Sequence, residues 1–385
     1  MERVVLHCDM DNYYASVEEK YDPALKRVPF AVCGDPEMRH SIVMSKNALA
    51  KRAGVTTGLS FSQARQVCPN LVYVKADMPK YLVETKGARE VYLKYTDKIV
   101  PYGMDESWMV FENGVTFDEA VQLADVIRIE IKYALCLSAS VGVSFNYIFS
   151  KLGSDYNKPN GVAVITKDNY KQIVWPLPSS ALLFVGDARE KVLAGAGIHT
   201  IGDIAQAEPE HLRKLLGKAG YDLWRFANGD DRYFDPAMDE IGSVGNTITP
   251  PEDLRNDEEV SAVIYLLVSA ICTRLKKHGL KARCISICTK DSSFEKSIRQ
   301  CTLSQFTDHV NKIFNNAFEL FRKTYRWQRP LRSIGVRVDN LDENEQISLF
   351  DDDCELSIDI NSRIKALTHK FGTLNFEKTA TTKEW

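Results

Sequence analysis

The sequence predicts an α/β protein of several domains. Its 385 residues exceed the size of one ordinary domain, and a hydrophobic content of 44% is enough to build large cores. Short apolar segments alternate with amphipathic ones over residues 3–165 and again after residue 243, whereas the stretch between them is divided by glycines. We therefore expect about two to four structural units, with a mixed sheet in the first part of the chain.

The first part of the chain is predicted to be a mixed sheet backed by helices. One helix has a clear start, because Thr116 precedes Glu119 by three residues and forms a capping box before an amphipathic stretch. Strands are predicted at 3–9, 71–74, 106–111, 137–143 and 162–165, and helices at 12–20, 79–95, 117–134 and 146–156.

The remaining residues are predicted to form two further regions and a tail. Residues 170–236 contain several short helical segments separated by glycines, which indicates a small helical unit. From residue 243 the segments follow the order β-α-β-β-α-β. Strands are predicted at 244–249, 283–289, 294–302 and 332–338, helices at 257–276, 303–325 and 358–371, and an acidic loop at 341–357.

Composition excludes several classes of protein. No apolar run approaches the roughly 20 residues that cross a bilayer, so we expect no membrane partner and a cytoplasmic location. The nine cysteines lack zinc-ligand spacing and are expected to be reduced core residues. The net charge of −3 hides a surplus of +6 in residues 241–340 and a deficit of −5 in residues 341–385. This local surplus is compatible with a nucleic-acid partner and equally with an ordinary soluble surface.

Three carboxylates stand where predicted strands end or begin. Asp9 ends the first strand, and Asp105 and Glu106 open the strand at 106–111 after a Tyr-Gly-Met hairpin segment that would expose the pair at a sheet edge. Magnesium prefers oxygen ligands and is commonly held by one or two carboxylates together with substrate phosphates. The three residues therefore predict a catalytic magnesium site, although an isolated Asp-Glu pair is more often solvated surface.

The segments around these carboxylates resemble signature segments of the Y-family DNA polymerases, most closely those of the DinB group. The strings are DMDNYYASVE at 9–18, MDES at 104–107 and SKLGSDYNKPNG at 150–161, in the family's order and spacing. The resemblance covers residues 1–350. It implies a monomeric, template-directed DNA polymerase that uses dNTPs, copies damaged templates with low fidelity and lacks proofreading.

The same resemblance implies a right-hand architecture and a metal centre. The palm would comprise residues 1–23 and 77–166, the small fingers 24–76, a helical thumb with a helix-hairpin-helix 167–236, a β-α-β-β-α-β little finger 243–340, and a tail 341–385. Asp9, Asp105 and Glu106 resemble the catalytic metal ligands, with the Met10 carbonyl as a further ligand. Two Mg²⁺ ions per site are implied, for which Mn²⁺ can substitute.

The resemblance also assigns residues to the incoming nucleotide. Tyr14 resembles the steric-gate aromatic that leaves no room for a ribose 2′-hydroxyl, beside Tyr13, and Lys158 resembles the lysine that contacts the triphosphate. The alternative for Tyr14 is a core tyrosine, and from the residues alone the Lys-Pro-Asn-Gly segment would be a polar turn.

The fingers segment departs from the family pattern. Family members commonly have Ser-Tyr-Glu-Ala-Arg before Gly-Val, whereas this chain has Asn-Ala-Leu-Ala-Lys-Arg-Ala before Gly-Val at 47–55. Ala48 cannot donate a side-chain hydrogen bond, and Lys51 supplies a point charge in place of a bidentate guanidinium. We expect weaker nucleotide affinity than is usual for the family, or a contact shared by Ser45 and Lys51.

Two segments resemble the family's DNA-holding elements. Residues 184–204 resemble a helix-hairpin-helix in which backbone amides near Gly186 face a DNA phosphate, although Phe184 replaces a usual glycine. In the little finger the resemblance assigns backbone contacts to Ser243, Gly245, Arg332 and Arg337, and Lys281, Arg283, Lys296 and Arg299 are expected to share that sheet face. A plain helical connector and a solvated sheet face are the alternatives.

A short peptide in the tail resembles a docking motif for the bacterial sliding clamp, its beta subunit. The peptide is QISLF at 346–350, in which Gln346, Ile347, Leu349 and Phe350 would contact the clamp. Linear peptides of this kind bind through a few apolar anchors, and a tether raises the effective concentration of an enzyme at its substrate.

Two alternatives differ from a polymerase in class. A nucleotidyl cyclase also places two carboxylates on a palm-like sheet, but it needs neither a thumb nor a basic second sheet. A non-catalytic DNA- and clamp-binding factor would explain the altered fingers, but not the intact set of Asp9, Asp105 and Glu106. Primer extension with magnesium and four dNTPs separates the three classes.

Overall fold

The chain divides into two structural units. The computed structural model describes residues 3–35, 41–112, 114–234, 236, 241–343 and 359–371, so the predicted clamp peptide at 346–350 lies outside the described residues. The first unit comprises residues 1–34 and 42–238, and the second comprises 35–41 and 239–384. None of the described helices is long and apolar enough to cross a membrane.

The described strands of the first unit form two sheets. They are β1 (Val4–Met10), β2 (Phe30–Cys33), β3 (Val43–Lys46), β4 (Val72–Lys75), β5 (Ile99–Pro101), β6 (Glu106–Phe111), β7 (Ala139–Ser144) and β8 (Val162–Ile165). The larger sheet has the order β5-β6-β1-β7-β8, with β1 antiparallel to β6 and β7, and with β7 parallel to β8. Every residue of β1 is buried, as expected for a central strand covered on both faces. The predicted mixed sheet is therefore confirmed.

Eleven α-helices are described in the first unit. Thr116 and Glu119 form the predicted capping box at the start of one of them. The helices are α1 (Tyr13–Tyr21), α2 (Ala48–Arg52), α3 (Phe61–Val67), α4 (Met78–Tyr92), α5 (Phe117–Leu135), α6 (Tyr147–Tyr156), α7 (Tyr170–Ile173), α8 (Asp187–Gly195), α9 (Ile201–Gln206), α10 (Pro209–Leu216) and α11 (Lys218–Ala227). From α7 to α11 the described residues contain no strand, so the predicted helical character of this region is confirmed, and these residues belong to the first unit.

The smaller sheet has the order β3-β2-β4 and packs its own apolar cluster with α2 and α3. Sequence patterns did not predict β2 and β3, because each has four residues and no long alternation. Asn47 fixes the chain here: its side chain accepts from the amides of Phe30 and Ala50 and donates to the carbonyl of Val28. A buried polar side chain thus joins β2, α2 and the loop before β2.

Helix α6 crosses the larger sheet at two glycines. A Cβ atom on Gly142 in β7 would lie 1.9 Å from the Ser150 carbonyl oxygen and 2.4 Å from the Ser154 amide nitrogen. A Cβ on Gly153 would lie 3.1 Å from the Gly142 Cα. Only glycine at position 142 lets the helix backbone approach the strand this closely.

The described residues of the second unit form a four-stranded sheet and three helices. They are β9 (Ser243–Ile248), α12 (Asp257–Lys277), β10 (Lys281–Asp291), β11 (Lys296–Thr307), α13 (Val310–Thr324), β12 (Leu331–Asp342) and α14 (Ile360–Phe371). The sheet order is β11-β10-β12-β9, and all strand pairs are antiparallel. The apolar sides of the helices and of the sheet form one core. The predicted β-α-β-β-α-β order and the final helix are confirmed.

One predicted boundary in this unit is wrong. The helix predicted at 303–325 begins at Val310, because β11 continues to Thr307. A bulge between Ala282 and Cys284 lets β10 keep pairing, so that Ala282 faces Thr307. Apolar residues at 303 and 306 do not distinguish a helical turn from a strand by spacing alone.

Candidate active site

The three predicted carboxylates come from two neighbouring strands. Asp9 lies near the end of β1 and pairs in register with Glu106 at the start of β6. The Met10 amide donates to the Asp105 carbonyl at 3.0 Å, which continues the pairing past the hairpin. The predicted Tyr-Gly-Met hairpin is present, with the Tyr102 amide donating to the Glu106 carbonyl at 3.0 Å. The expected position at a sheet edge is wrong, because β6 lies between β5 and β1.

Asp9 is a buried carboxylate that faces a lysine. Only 4% of the residue is exposed, and its Oδ2 lies 2.6 Å from the Lys158 Nζ, which also lies 2.8 Å from the Asp155 Oδ1. Burial raises the pKa of Asp9, and the neighbouring Glu106 charge adds to that effect against the opposing charge of Lys158. Burial, followed by the Glu106 charge, also raises the pKa of Asp105 to about 6. The site therefore concentrates negative charge that its own residues only partly neutralise.

Glu106 lies beside two residues that sequence reasoning did not single out. Lys151 on α6 donates to the Glu106 Oε2, and the His7 Nε2 faces that oxygen at 3.5 Å. Burial alone would raise the pKa of Glu106, but His7 and Lys151 reverse the direction and lower it. His7 is fully buried, which lowers its pKa to about 4, so the ring is neutral at pH 7. A sequence signal existed for Lys151, because it lies in the segment 150–161 that resembles a signature segment of the family.

Asp11 fixes the loop that carries Lys158. Its two carboxylate oxygens accept from the Ser140 hydroxyl and from the Asn160 amide, each at 2.8 Å. Arg128 donates to the Asn160 side chain at 2.8 Å. Asp11 therefore positions a neighbouring loop. The sequence Asp-Met-Asp alone does not show that Asp11 has a different role from Asp9.

The first turn of α1 places the two predicted tyrosines differently. Asn12 adopts a left-handed conformation with φ 47°, which turns the chain from β1 into α1. Tyr13 is 2% exposed, and its hydroxyl donates to the Tyr81 carbonyl, so its side chain belongs to the core. Tyr14 is half-buried, with its ring 4.7 Å from that of Tyr81 and its hydroxyl 3.5 Å from the Met104 Sδ. Of the two rings, only that of Tyr14 is partly open.

The predicted fingers residues separate into an inner and an outer position. Ser45 is buried and bonds to α1, donating to the Asn12 carbonyl at 3.3 Å and accepting from the Ala15 amide at 3.4 Å. Lys51 is exposed on α2. Burial, followed by the charge of Lys51, lowers the pKa of Lys46, which places a second cation near Lys51. Lys46 was not among the predicted residues.

The oxygen atoms of Asp9, Asp105 and Glu106 are potential ligands for a divalent ion. Among the described residues, no group of three histidine, cysteine or acidic side chains is close enough to hold a metal ion. Two adjacent carboxylates, Asp9 and Glu106, each face a lysine, and Asp105 adds a third hard oxygen donor. Although three of these side chains do not converge on one point among the described residues, hard oxygen donors suit an ion such as Mg²⁺, which takes one or two carboxylates and completes its shell with substrate phosphates and water.

Asparagine at position 105 is expected to stabilise the metal-free protein at alkaline pH. The pKa of Asp105 is about 6 in the folded chain against 3.8 ordinarily, so its ionisation opposes folding. Well below pH 4 both states are protonated and there is no penalty, whereas well above pH 6 the full penalty applies, on the order of 2–3 kcal/mol. Asp105→Asn should therefore raise the melting temperature in EDTA much more at pH 8 than at pH 4, whereas Asp97→Asn, at an exposed site, should leave it unchanged at pH 8. Equal melting of parent and Asp105→Asn at pH 8 would contradict this expectation.

The predicted hairpin for DNA contains an unusual phenylalanine. Phe184 adopts φ 73°, a left-handed conformation that glycine accepts without strain. Its ring packs 5.5 Å from that of Phe234 and 6.0 Å from that of Phe226. Gly186 caps α8, and a Cβ there would meet no atom within 4 Å. The chain thus keeps a glycine-like backbone at position 184 without a glycine.

Because the Phe184 backbone is strained, we expect a glycine variant at this position to be more stable than an alanine variant. Phe184→Ala loses the ring contacts and keeps the strained backbone, whereas Phe184→Gly loses the same contacts and relieves the strain. Since a left-handed residue with a Cβ costs about 1–2 kcal/mol, the glycine variant should be more stable than the alanine variant by about 1 kcal/mol. Urea unfolding of both variants measures the difference, and an alanine variant of equal or greater stability would contradict it.

The basic residues of the second unit do not all share one sheet face. Arg337 pairs with Gly245 and with Ser286, so these side chains point away from the helices that cover the core. Arg299 pairs with the core residue Ile287 and therefore lies on the helix-covered face. Ser243 lies on the face away from the helices, two residues before Gly245. Lys296 pairs with Lys290 on that same face. The Arg332 guanidinium lies 4.6 Å from the Phe294 ring, at the hairpin after β10. The expectation of one shared face is corrected for Arg299.

Comparisons with known proteins agree with this geometry. The impB/mucB/samB family matches residues 8–155, and the C-terminal domain of that family matches residues 242–349. DNA polymerase IV of Acetivibrio thermocellus is 44% identical over 360 residues, which cover 92% of this chain and 90% of that protein. The chain belongs to the DinB group of Y-family DNA polymerases. This Y-family chain is accordingly a DNA-directed DNA polymerase.

Further relatives and solved structures support the family and its fold. DNA polymerase IV 1 of Bacillus subtilis is 32% identical to this Y-family chain over 390 residues, covering 99% of the chain and 94% of that protein. A Y-family chimera of Dbh and Dpo4 is 24% identical, with a TM-score of 0.77, and covers 89% of this chain and 100% of its own. An insertion ternary complex of Dbh DNA polymerase is 23% identical, with a TM-score of 0.60 and the same coverage. At these identities the solved structures show the fold alone.

Proposed function

We propose that this Y-family enzyme adds dNTPs to a primer 3′ end by two-metal phosphoryl transfer, copies damaged template bases with low fidelity, and lacks proofreading. The observation that carries the proposal is the pairing of Asp9 with Glu106 beside Asp105, at the junction of two central strands. The proposed palm comprises residues 1–23 and 77–166, the fingers 24–76, the thumb 167–236 and the little finger 243–340. The boundary of the first unit at residue 238 is close to the proposed end of the thumb, whereas residues 35–41, inside the proposed fingers, are grouped with the second unit.

In this proposal the carboxylates and the lysines have complementary roles. Asp9, Asp105, Glu106 and the Met10 carbonyl would hold two Mg²⁺ or Mn²⁺ ions, which lower the pKa of the primer hydroxyl and neutralise developing phosphate charge. Lys158 now lies 2.6 Å from Asp9, within side-chain reach of the nucleotide that would occupy this site. Lys151 and His7 keep Glu106 ionised and oriented towards β1.

The nucleotide would bind where α1 meets the carboxylates. The first amides of a helix have no partner within the helix, so those of Tyr13 and Tyr14 suit a phosphate group. Ser45 supports this turn through the Asn12 carbonyl and the Ala15 amide. Lys51, together with Lys46, supplies positive charge from the fingers without the bidentate geometry of arginine.

Replacing Tyr14 by alanine is expected to admit ribonucleotides. The half-buried ring is the proposed barrier to a 2′-hydroxyl, and removing it opens space beside Tyr81. Discrimination against ribonucleotides should fall by about 10- to 200-fold, the range for a small steric group in a pocket. Tyr14→Phe is the matched control, because it keeps the ring and loses only the hydroxyl near Met104. Single-nucleotide insertion measures both variants, and unchanged discrimination in Tyr14→Ala would assign the gate elsewhere.

Primer-template DNA is the proposed macromolecular substrate. Backbone amides near Gly186 and the open sheet face with Ser243, Gly245 and Arg337 would contact phosphates without reading bases, with Arg332 at the nearby hairpin. We also propose that Gln346, Ile347, Leu349 and Phe350 bind the sliding clamp of the host bacterium. This peptide lies outside the described residues.

Primer extension on a plain template with magnesium and four dNTPs tests the proposal. The expected result is template-directed extension without a 3′-to-5′ exonuclease activity. Formation of cyclic nucleotides would favour the cyclase alternative, and DNA binding without extension would favour a non-catalytic factor. Degradation of the primer by the pure protein would contradict the absence of proofreading.

A further inference from the structure

A cavity of about 310 Å³ lies among the helices that follow the carboxylate-bearing sheet. Its wall carries three cations, Arg189, Lys218 and Arg225, against one acid, Asp222. Aromatic rings complete the wall, from Phe184, Phe226, Tyr233 and Phe234. The cavity therefore combines an excess of positive charge with aromatic surface.

Arg225 is the most enclosed of these cations. Only 6% of the residue is exposed, its Nε donates to the Asp230 Oδ2 at 3.1 Å, and the Tyr233 ring lies 4.2 Å from its guanidinium carbon. Its Nη2 is buried and has no hydrogen-bond partner among the described residues. Asp230 is shared with Arg232, so it cannot balance both charges. A buried guanidinium whose acidic partner is shared leaves positive charge behind the cavity wall, which favours an anion in the cavity.

The other cations are placed towards the same space. Lys218, Asp222 and Arg225 follow one another at helical spacing on a single face of α11. Arg189 reaches the cavity from α8, where it donates to the Phe184 carbonyl at 2.6 Å. Lys218 is exposed, so its ammonium group can meet a ligand from solvent.

The rings offer a surface for a flat group. Tyr233 is 83% exposed and Phe184 is 41% exposed, which is unusual for large rings at a cavity wall. Aromatic side chains bind nucleobases by stacking, and lysine and arginine bind phosphate by charge-assisted hydrogen bonds. The cavity volume is at the lower end of the range for small-molecule sites, which fits one nucleotide better than several.

We propose that this cavity binds a single nucleoside phosphate, with the phosphate between Arg189 and Lys218 near Arg225, and with the base stacked on Tyr233. The nucleotide is either free in solution or the unpaired terminal residue of a DNA strand. This site goes beyond the proposed polymerase function, since Asp9, Asp105 and Glu106 do not line it.

Calorimetric titration with dAMP in EDTA tests the site, because chelation removes nucleotide binding through metal ions. The full chain should bind one equivalent, and Lys218→Ala should weaken binding by at least about tenfold. The matched control is Lys214→Ala, an exposed lysine on the neighbouring helix, which should bind like the parent. Deoxyadenosine and inorganic phosphate should each bind more weakly than dAMP. Absence of saturable binding, or equal loss in both variants, would overturn the proposal.

Hydrogen exchange locates the bound nucleotide. Addition of dAMP should slow exchange at residues 184–190 and 218–226, and protection confined to residues 10–16 and 158–161 would overturn the assignment. Competition distinguishes the two sources of the nucleotide. A duplex with one unpaired 5′-phosphorylated nucleotide that displaces dAMP better than a blunt duplex assigns the site to a strand end, whereas equal failure of both duplexes assigns it to a free nucleotide.

Discussion

Replacing Asp105 or Glu106 by alanine is expected to abolish primer extension. Both carboxylates lie at the start of β6 beside Asp9, and their proposed role is to hold the ions that position the reacting phosphate. Removal of a group that acts only in the transition state typically lowers the rate by orders of magnitude, so we expect a loss of about 10³-fold or more. Single-turnover insertion measures the loss in each variant.

Binding of primer-template DNA should survive the same changes. The side chains concerned are not on the surfaces proposed to hold the duplex, so the dissociation constant should change by less than about threefold, the scale of a minor surface change. Glu112→Ala is the matched control, because Glu112 follows the other end of β6, is exposed and pairs with Lys98. Extension at the parental rate by either active-site variant, or loss of activity in Glu112→Ala, would contradict the assignment.

Much of the fold follows from local patterns in the sequence. The run 3–9 predicted a buried strand because it is apolar and β-branched, and the structure confirms it as β1, one residue later and at the centre of its sheet. Thr116 and Glu119 predicted the start of α5 because a capping box satisfies two backbone donors at once. The order of the second unit was predictable because its strands and helices are long enough to show their periods.

Other features depend on contacts distant in sequence. Strands β2 and β3 have four residues each, and β2 is also contacted by β4 and by the Asn47 side chain, which no local pattern in these strands indicates. The carboxylate positions of the candidate site were predictable from family motifs, but the roles of His7, Lys151 and Asp11 were not. Their partners lie between 45 and 149 residues away along the chain.

Replacing Gly142 by alanine is expected to disrupt both the fold and the active site. The added Cβ would lie 1.9 Å from the Ser150 carbonyl oxygen and 2.4 Å from the Ser154 amide, and both are backbone atoms that cannot move without the whole of α6. Overpacking of this kind costs on the order of 3 kcal/mol or more. Helix α6 should therefore be displaced from β7, and the melting temperature should fall.

The rate of nucleotide insertion by Gly142→Ala should fall even at a temperature where the variant is folded, because α6 carries two groups that reach the site. Lys151 bonds to Glu106, and the Ser154 hydroxyl lies 2.8 Å from the His7 Nδ1, so a displaced helix moves both away from β1. A shift of about 1 Å in a positioning group can lower a rate by about 100-fold. Gly195→Ala is the matched control, since a Cβ there meets no atom within 4 Å and the helix should gain up to about 1 kcal/mol. Insertion assays at a temperature where both variants are folded decide the matter: parental activity in Gly142→Ala would mean that the close crossing of α6 and β7 does not position the catalytic groups.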